Sequence, residues 1–210
     1  MAQPSLTLPA THAGASDYLE RLSAKGWVHI DGFLEPALTA ALKREALGQQ
    51  EWADAGIGSA GQTNEKIRRD KTVWLNGASA VQAQYLAHME AIRLEVNQAF
   101  FAGLFEYEAH FAHYPVGAFY RKHRDALRGS SARVLTSVCY LNQQWRADDG
   151  GELVIYNDAD TAIEAQIRPE AGDLVLFWSE DFPHEVLPAA RDRFSISGWF
   201  RRNIDGANPL

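Results

Sequence analysis

Cysteine is almost missing from these 210 residues. Cys139 stands alone, which excludes an internal disulfide framework and any thiolate-rich metal cluster and suits a reducing compartment. Positive charge is also in deficit: twenty-seven acidic residues against twenty basic ones leave a net charge of -7. That balance argues against a chain that holds nucleic acid electrostatically, and the local patch of Arg121, Lys122, Arg124 and Arg128 reads as a solvated face. Long apolar runs are lacking, so no membrane span is expected. The first fifteen residues contain Pro4 and Pro9 but no basic side chain, and a flexible tail over 1–15 on a cytoplasmic protein is the expectation. Internal repeats and low-complexity segments are not evident.

What is present suffices for a core. With 46% hydrophobic and 11% aromatic residues, a single domain over 16–210 is expected. Its first part reads as helical support, about 16–105. Ser16 can cap a helix through Ala24, Trp27 to Ile30 reads as a strand, and a second helix starts at Pro36 and runs to about Gly48. From Ala78 the residues Val81, Tyr85, Met89, Ile92, Val96 and Phe100 form one stripe of a long helix ending at Gly103. Between these helices, Ala53 to Thr72 holds Gly56, Gly58 and Gly61 and then a charged run. It reads as a long mobile loop, with Gly56 to Lys71 closing on substrate as a lid.

After Gly103 the period changes from 3.6 to 2. Short strands are expected at Ala109 to Tyr114, Arg133 to Leu141, Glu152 to Tyr156, Ala165 to Arg168, Asp173 to Trp178 and Arg193 to Phe200. Turn signals separate them, among them Gly129-Ser130 and the Asp148 to Gly151 cluster. Helices followed by a run of strands exclude a parallel βαβ sheet. They predict an α+β, mainly β chain: a double-stranded β-helix, or jelly roll, over about 106–202, backed by the N-terminal helices.

The chemistry centres on Phe111 to Asp125. The chain breaks at Pro115 and Gly117, resumes, and ends on His123 and Asp125, which project from one face if the backbone is extended. His184, after Phe182-Pro183, is the candidate third ligand. Two histidines and a carboxylate on one face of a metal leave open positions, as expected of a non-haem Fe(II) oxygenase, whereas zinc is more often held tetrahedrally. On the last strand Arg193, Ser195, Ser197 and Trp199 alternate with Phe194, Ile196, Gly198 and Phe200. An arginine at the end of such a polar face can fork onto a carboxylate, which 2-oxoglutarate would provide, and the Tyr140 hydroxyl can meet the same group. His12, His29, His88, His110 and His113 lack such company and read as structural or exposed. Two motif matches fail on context. Gly56, Gly58 and Gly61 spell a dinucleotide fingerprint without a preceding strand, and His123-Arg124-Asp125 spells a kinase loop without its asparagine.

The combination of H-x-D, a distant histidine and R-x-S nine residues later resembles the Fe(II)- and 2-oxoglutarate-dependent dioxygenases, and in particular the HIF prolyl hydroxylases. The similarity runs from about Lys66 to Arg202. It implies that His123, Asp125 and His184 bind iron and that Arg193, Tyr140, Tyr114, Ser195, Ser197 and Leu153 surround 2-oxoglutarate. Tyr120 and Trp199 would line the substrate pocket, with Arg68, Asp70 and Trp74 in a substrate-covering segment. It further implies O2 as cosubstrate, ascorbate as activity support, and hydroxylation coupled to conversion of 2-oxoglutarate to succinate and CO2. The implied substrate is a proline, hydroxylated at C4, in a flexible loop of another protein, with a translation elongation factor as first candidate. A small-molecule hydroxylase and a non-catalytic iron-binding sensor are the alternatives. Arg193 argues against the sensor, since a pure binding module needs no cosubstrate anchor.

Overall fold

Three helices form where the apolar spacing places them. The structure, a computed structural model, describes residues 15–56, 64–126 and 132–203. Helix α1 spans Ala15–Lys25, so Ser16 lies within its first turn rather than before it. Helix α2 spans Pro36–Gly48 with the proline in its first turn, where the missing N–H costs no bond. Helix α3 spans Ala80–Phe100, two residues shorter at its start than the pattern suggested, because the Ser79 hydroxyl caps it by accepting the Gln82 N–H. Its stripe of Tyr85, Met89, Ile92 and Val96 is fully buried. Among the described residues no helix is long and apolar enough to cross a membrane.

Eleven strands follow the two-residue period. They are β1 Trp27–Ile30, β2 Ala53–Asp54, β3 Lys71–Trp74, β4 Glu106–Tyr114, β5 Tyr120–His123, β6 Arg133–Tyr140, β7 Leu153–Tyr156, β8 Ile163–Ile167, β9 Leu174–Trp178, β10 His184–Val186 and β11 Arg193–Arg201. Seven pair in the order β1-β9-β6-β11-β4-β3-β2 and four in the order β5-β10-β7-β8, and every pairing between them is antiparallel. This is the expected jelly roll.

The alternation along each central strand separates two cores. Phe111, Leu135, Cys139, Leu176, Ile196 and Phe200 face the helices. Ala112, Tyr114, Tyr140, Val175 and Phe177 face the small sheet and meet Leu153, Ile155, Ile167 and Val186 there. Gly198 sits where the Tyr107 ring crosses β11, and a Cβ at that position would collide with the tyrosine ring and hydroxyl.

Several expectations need correction. The stretch Ala53 to Thr72 is not one loop. Its ends are the edge strand β2 and its neighbour β3, and β3 pairs with β4 through Trp74 opposite His110. Asp70 in that stretch is buried, because Arg68 pairs with it through two hydrogen bonds of 2.8 and 2.6 Å. Strand β10 escaped the pattern, being three residues long and preceded by Pro183. Asp125 lies in a bend beyond β5 and not on an extended chain. The 1–15 tail before Ala15, Gly58 and Gly61 of the expected lid, Arg128 and the Gly129-Ser130 turn lie outside the described residues.

The outer edge of the large sheet is tied by a titratable contact. His29 Nε2 on β1 lies 2.8 Å from Asp173 Oδ2, and Asp173 Oδ1 accepts the Gly32 N–H at 2.9 Å. The hydrogen bond to Asp173 raises the His29 pKa above its usual 6.5, against the opposing effect of burial. A raised folded-state value stabilises the fold fully below about pH 6.5 and stops doing so as pH climbs through the folded pKa. The stability gap between wild type and His29→Gln, measured by urea unfolding from about pH 5.5 to 8.5, is therefore expected to narrow as pH rises. A second expectation concerns Gly198→Ala. The collision with Tyr107 should cost about 1–3 kcal/mol in the same measurement, as overpacking does in a filled core.

Candidate active site

Strand β10 lies between β5 and β7, with His184 directly opposite His123. This pairing brings together histidines sixty-one positions apart in the chain. Asp125 turns back towards both from the bend after β5. His123 Nε2 is 3.5 Å from Asp125 Oδ1, and His184 Nε2 is 3.7 Å from Asp125 Oδ2. One donor atom from each of the three residues lies within 4.8 Å of the other two. Each imidazole is oriented by its other nitrogen, His123 Nδ1 at 2.8 Å from the Arg121 carbonyl and His184 Nδ1 at 3.1 Å from the Phe182 carbonyl. With Nδ1–H donating to a carbonyl, Nε2 carries the free lone pair, the tautomer a metal requires.

Protonation matches. Burial pushes the His184 imidazole down to about 4, helped by the neighbouring His123. Burial opposes the charge on Asp125, yet the facing His184 and His123 hold its carboxyl well below the usual range. A neutral imidazole and an ionised carboxylate in one largely buried cluster are the forms that ligate a divalent ion. The described residues hold a second cluster, His29, Asp31 and Asp173, but there the His29–Asp173 hydrogen bond already occupies the donors.

Arg193 opens the inward face of β11 and is 1% exposed. Its Nε donates to the Gly151 carbonyl at 2.9 Å and its Nη1 to Ser195 Oγ at 3.4 Å. Its guanidinium stands 5.0 Å from the Tyr114 ring centre and 5.2 Å from that of Tyr140. Its Nη2 has no partner, nor has the buried Tyr140 hydroxyl, nor Trp199 Nε1. These are the buried side-chain polar atoms left unsatisfied among the described residues, and all three belong to the pocket face predicted from the strand alternation. A buried guanidinium that no carboxylate among the described residues balances calls for an anion from outside. A carboxylate accepting from Arg193 Nη2 and Tyr140 Oη would satisfy two of the three groups at once. The observed donors thus fit both a divalent metal and an acidic cosubstrate.

The expected substrate-side residues gather at the other end. Tyr120 stacks on His123 with ring centres 3.5 Å apart, and the Arg68 guanidinium covers Tyr120 at 4.1 Å. Asp70 is spent in its pair with Arg68. Trp199 is flanked by the Arg133 guanidinium at 3.5 Å and by Trp74 at 6.4 Å. Trp74 is 54% exposed and forms a rim. Leu153 and Tyr114 belong to the core between the sheets, and Ser197 lies half-buried on β11 between Ser195 and Trp199. A cleft of about 510 Å³ opens beside Arg68 and Asp70, bounded by Asp54, Asn64, Lys71 and Val116; it contains none of the triad.

Three further polar residues lie beside the site. His110 is buried beneath Trp74 and Trp199, at 5.2 and 5.5 Å between ring centres, with burial pushing its pKa down to about 4. Thr136 and Ser179 are buried beside Asp125. Thr136 shares a strand face with Val138 and Tyr140, so a polar residue on the pocket face was a usable signal. Ser179 gave none.

Comparison with known proteins agrees with this geometry. Residues 109–201 match the model of the 2OG-Fe(II) oxygenase superfamily. A hypoxia-inducible factor prolyl hydroxylase of Caenorhabditis elegans is 29% identical over 207 residues; the alignment takes in 89% of this chain but only 28% of that protein's length. Among solved structures, a prolyl hydroxylase of Trichoplax adhaerens, in complex with a hypoxia inducible factor peptide fragment, superposes with a TM-score of 0.81. It is 25% identical, and the match covers 89% of this chain and 88% of that one. The crystal structure of a Pseudomonas putida prolyl-4-hydroxylase matches with a TM-score of 0.82 at 40% identity, over 90% of this chain and 99% of that one. With nearly all of that bacterial protein paralleled here, this chain belongs to the 2OG-Fe(II) oxygenase superfamily.

Proposed function

We propose that the chain is a prolyl hydroxylase acting at C4 of a proline within a polypeptide. The observation that carries the oxygenase chemistry is the pair of orphaned donors, Arg193 Nη2 and Tyr140 Oη, in the same pocket as an oriented His-Asp-His cluster. His123, Asp125 and His184 would hold Fe(II), while Arg193, Tyr140 and Ser195 would hold the far carboxylate of 2-oxoglutarate. Bound there, Fe(II) with 2-oxoglutarate and O2 would supply the oxidation, one oxygen atom going to the substrate C–H and the other to succinate as 2-oxoglutarate loses CO2. The chain's own residues orient and exclude water: Tyr114, Tyr140 and Leu153 wall the Arg193 end, and both imidazoles are pinned through Nδ1. Ascorbate supports such activity by keeping the iron ferrous.

The substrate reading rests on the rim. An aromatic floor of Trp199, His110 and Tyr120, an exposed Trp74 and an adjoining polar cleft suit an extended peptide better than a small metabolite, which needs enclosure. The similarity to prolyl hydroxylases, one of them solved with a peptide, supports the same reading. The cytoplasm suits the free Cys139. A translation elongation factor is the first protein to test, a choice that rests on resemblance to bacterial members of the family.

Incubating the purified chain with Fe(II), 2-oxoglutarate and a cytoplasmic extract should add one oxygen atom to a prolyl residue, located by fragmentation mass spectrometry. Oxidation confined to free metabolites would select the small-molecule alternative. Arg193→Met should raise the 2-oxoglutarate requirement steeply, since a desolvated carboxylate that loses its charged partner costs about 2–5 kcal/mol, roughly 30-fold or more. Tyr140→Phe should raise it by about 1 kcal/mol, the size of one neutral hydrogen bond. Steady-state succinate formation at varied 2-oxoglutarate reads both, and an unchanged requirement in Arg193→Met would place the anchor elsewhere.

A further inference from the structure

Asp125 is backed by two hydroxyls that the triad's spacing does not account for. Thr136 Oγ1 lies 2.8 Å from Asp125 Oδ2 and 2.9 Å from Ser179 Oγ, and the two residues are 2% and 0% exposed. Counting protons sets the direction of the chain. A carboxylate only accepts, so Thr136 gives its single hydroxyl proton to Asp125, and its oxygen is left to accept the proton of Ser179. Neither hydroxyl is free to wander. Thr136 is held in mid-strand on β6, opposite Trp199 of β11 and Phe177 of β9, and its branched side chain has few rotamers. Ser179 follows β9, with its N–H bonded to the Val134 carbonyl at 2.9 Å.

The consequence lies in the two oxygens of Asp125. Oδ1 is nearest His123 Nε2 and Oδ2 is nearest His184 Nε2, so nothing in the triad itself prevents both oxygens from reaching one metal. We propose that the Ser179–Thr136 hydroxyl chain occupies Oδ2 and so makes Asp125 a one-oxygen ligand through Oδ1. A second oxygen on the metal would take a position that the cosubstrate needs, because three protein ligands leave only three sites of an octahedron. Thr136 and Ser179 touch neither metal nor substrate; they are positioning residues. Partners of this kind fix ligand orientation and commonly govern metal affinity by 10–100-fold.

This inference rests on the metal-centre reading, and the experiment separates the two. Mn(II) binding is titrated without O2 on wild type, Thr136→Val, Thr136→Ser and Ser179→Ala, and 2-oxoglutarate is then titrated onto each Mn(II)-loaded protein by calorimetry. Thr136→Val keeps the shape and removes the hydroxyl. It should weaken Mn(II) binding by roughly 10–100-fold and weaken 2-oxoglutarate binding on the loaded protein, while Thr136→Ser restores both. Ser179→Ala should fall in the same direction by less. Wild-type affinities in Thr136→Val overturn the proposal, as does a Thr136→Ser protein as weak as the valine variant, since shape and not the hydroxyl would then matter. Should Thr136→Val fail to fold, Ser179→Ala against Ser179→Thr makes the same comparison, and equal affinities there are equally fatal. A wild type that binds no Mn(II) removes the metal centre itself.

Discussion

The register of β11 between β4 and β6 is the constraint on which the pocket depends. Nine residues of this strand are paired on the β4 side, from Arg193 opposite Tyr114 to Arg201 opposite Glu106. A slip of one residue would send Arg193, Ser195 and Trp199 into the helix-packed core and Phe194, Ile196 and Phe200 into the pocket. The cost of burying a guanidinium among Leu and Ile side chains, with apolar rings turned to the pocket in exchange, makes the register effectively unique. It is pinned most firmly at its start. Where β6 ends at Tyr140, the Asn142 side chain replaces the ladder, accepting the Phe194 N–H at 2.7 Å and donating to the Phe194 carbonyl at 2.9 Å. Arg193 is thus the residue whose backbone neighbour is clamped, and its own side chain is tied through Nε to Gly151. Only the outer part of the fork is left to a ligand.

The small sheet performs the corresponding task for the histidines. Strand β10 has three residues, too few to be stable alone, yet it is paired on both sides, and both its neighbours contribute to the core between the sheets. His184 and His123 are therefore cross-strand partners whose separation is set by backbone hydrogen bonds and not by side-chain reach. Asp125 has no such ladder. It lies in a bend, and its placement falls to side-chain contacts from the opposite sheet, which is why the hydroxyls of Thr136 and Ser179 carry weight out of proportion to their size. The centre has two ligands positioned by main chain and one positioned by side chains.

Much of this was legible in the sequence, and the reason lies in periodicity. The stripe from Tyr85 to Val96 and the alternation from Arg193 to Phe200 each involve enough residues for a period to show, and both sit where expected. The triad was legible because His123, Asp125 and His184, together with Arg193 nine residues beyond the last of them, are of types and spacings that are mutually consistent. The shortest elements were not. Strands β2 and β10 hold two and three residues, too few for alternation to show, and the four-residue β3 begins inside a charged run. The charged run from Glu65 to Lys71 read as solvated loop because a sequence lists charges without their pairing, whereas Asp70 is buried by its two bonds to Arg68. Asp125 was placed beside the histidines by an argument from extended backbone that does not hold. The bend delivers the same convergence through a different path, and the contact with Thr136 helps to hold it there.

The two ends of the pocket differ in how their polar groups are treated, and the difference bears on what each end binds. At the Arg193 end the aromatic and aliphatic side chains of Tyr114, Tyr140 and Leu153 leave the guanidinium and the phenol buried with unfilled hydrogen-bonding capacity. Such a site is costly when empty and selective when filled, since a ligand lacking the matching carboxylate leaves the same groups unpaired. At the Trp74 end the cations are already engaged: Arg68 with Asp70 and Tyr120, Arg133 with Glu108 and Trp199. What that end offers is a set of flat aromatic faces and the half-exposed strand β3, second from the edge of the large sheet. The unfilled donors at the Arg193 end suit a small anion, whereas the flat faces at the Trp74 end make contacts through shape and stacking.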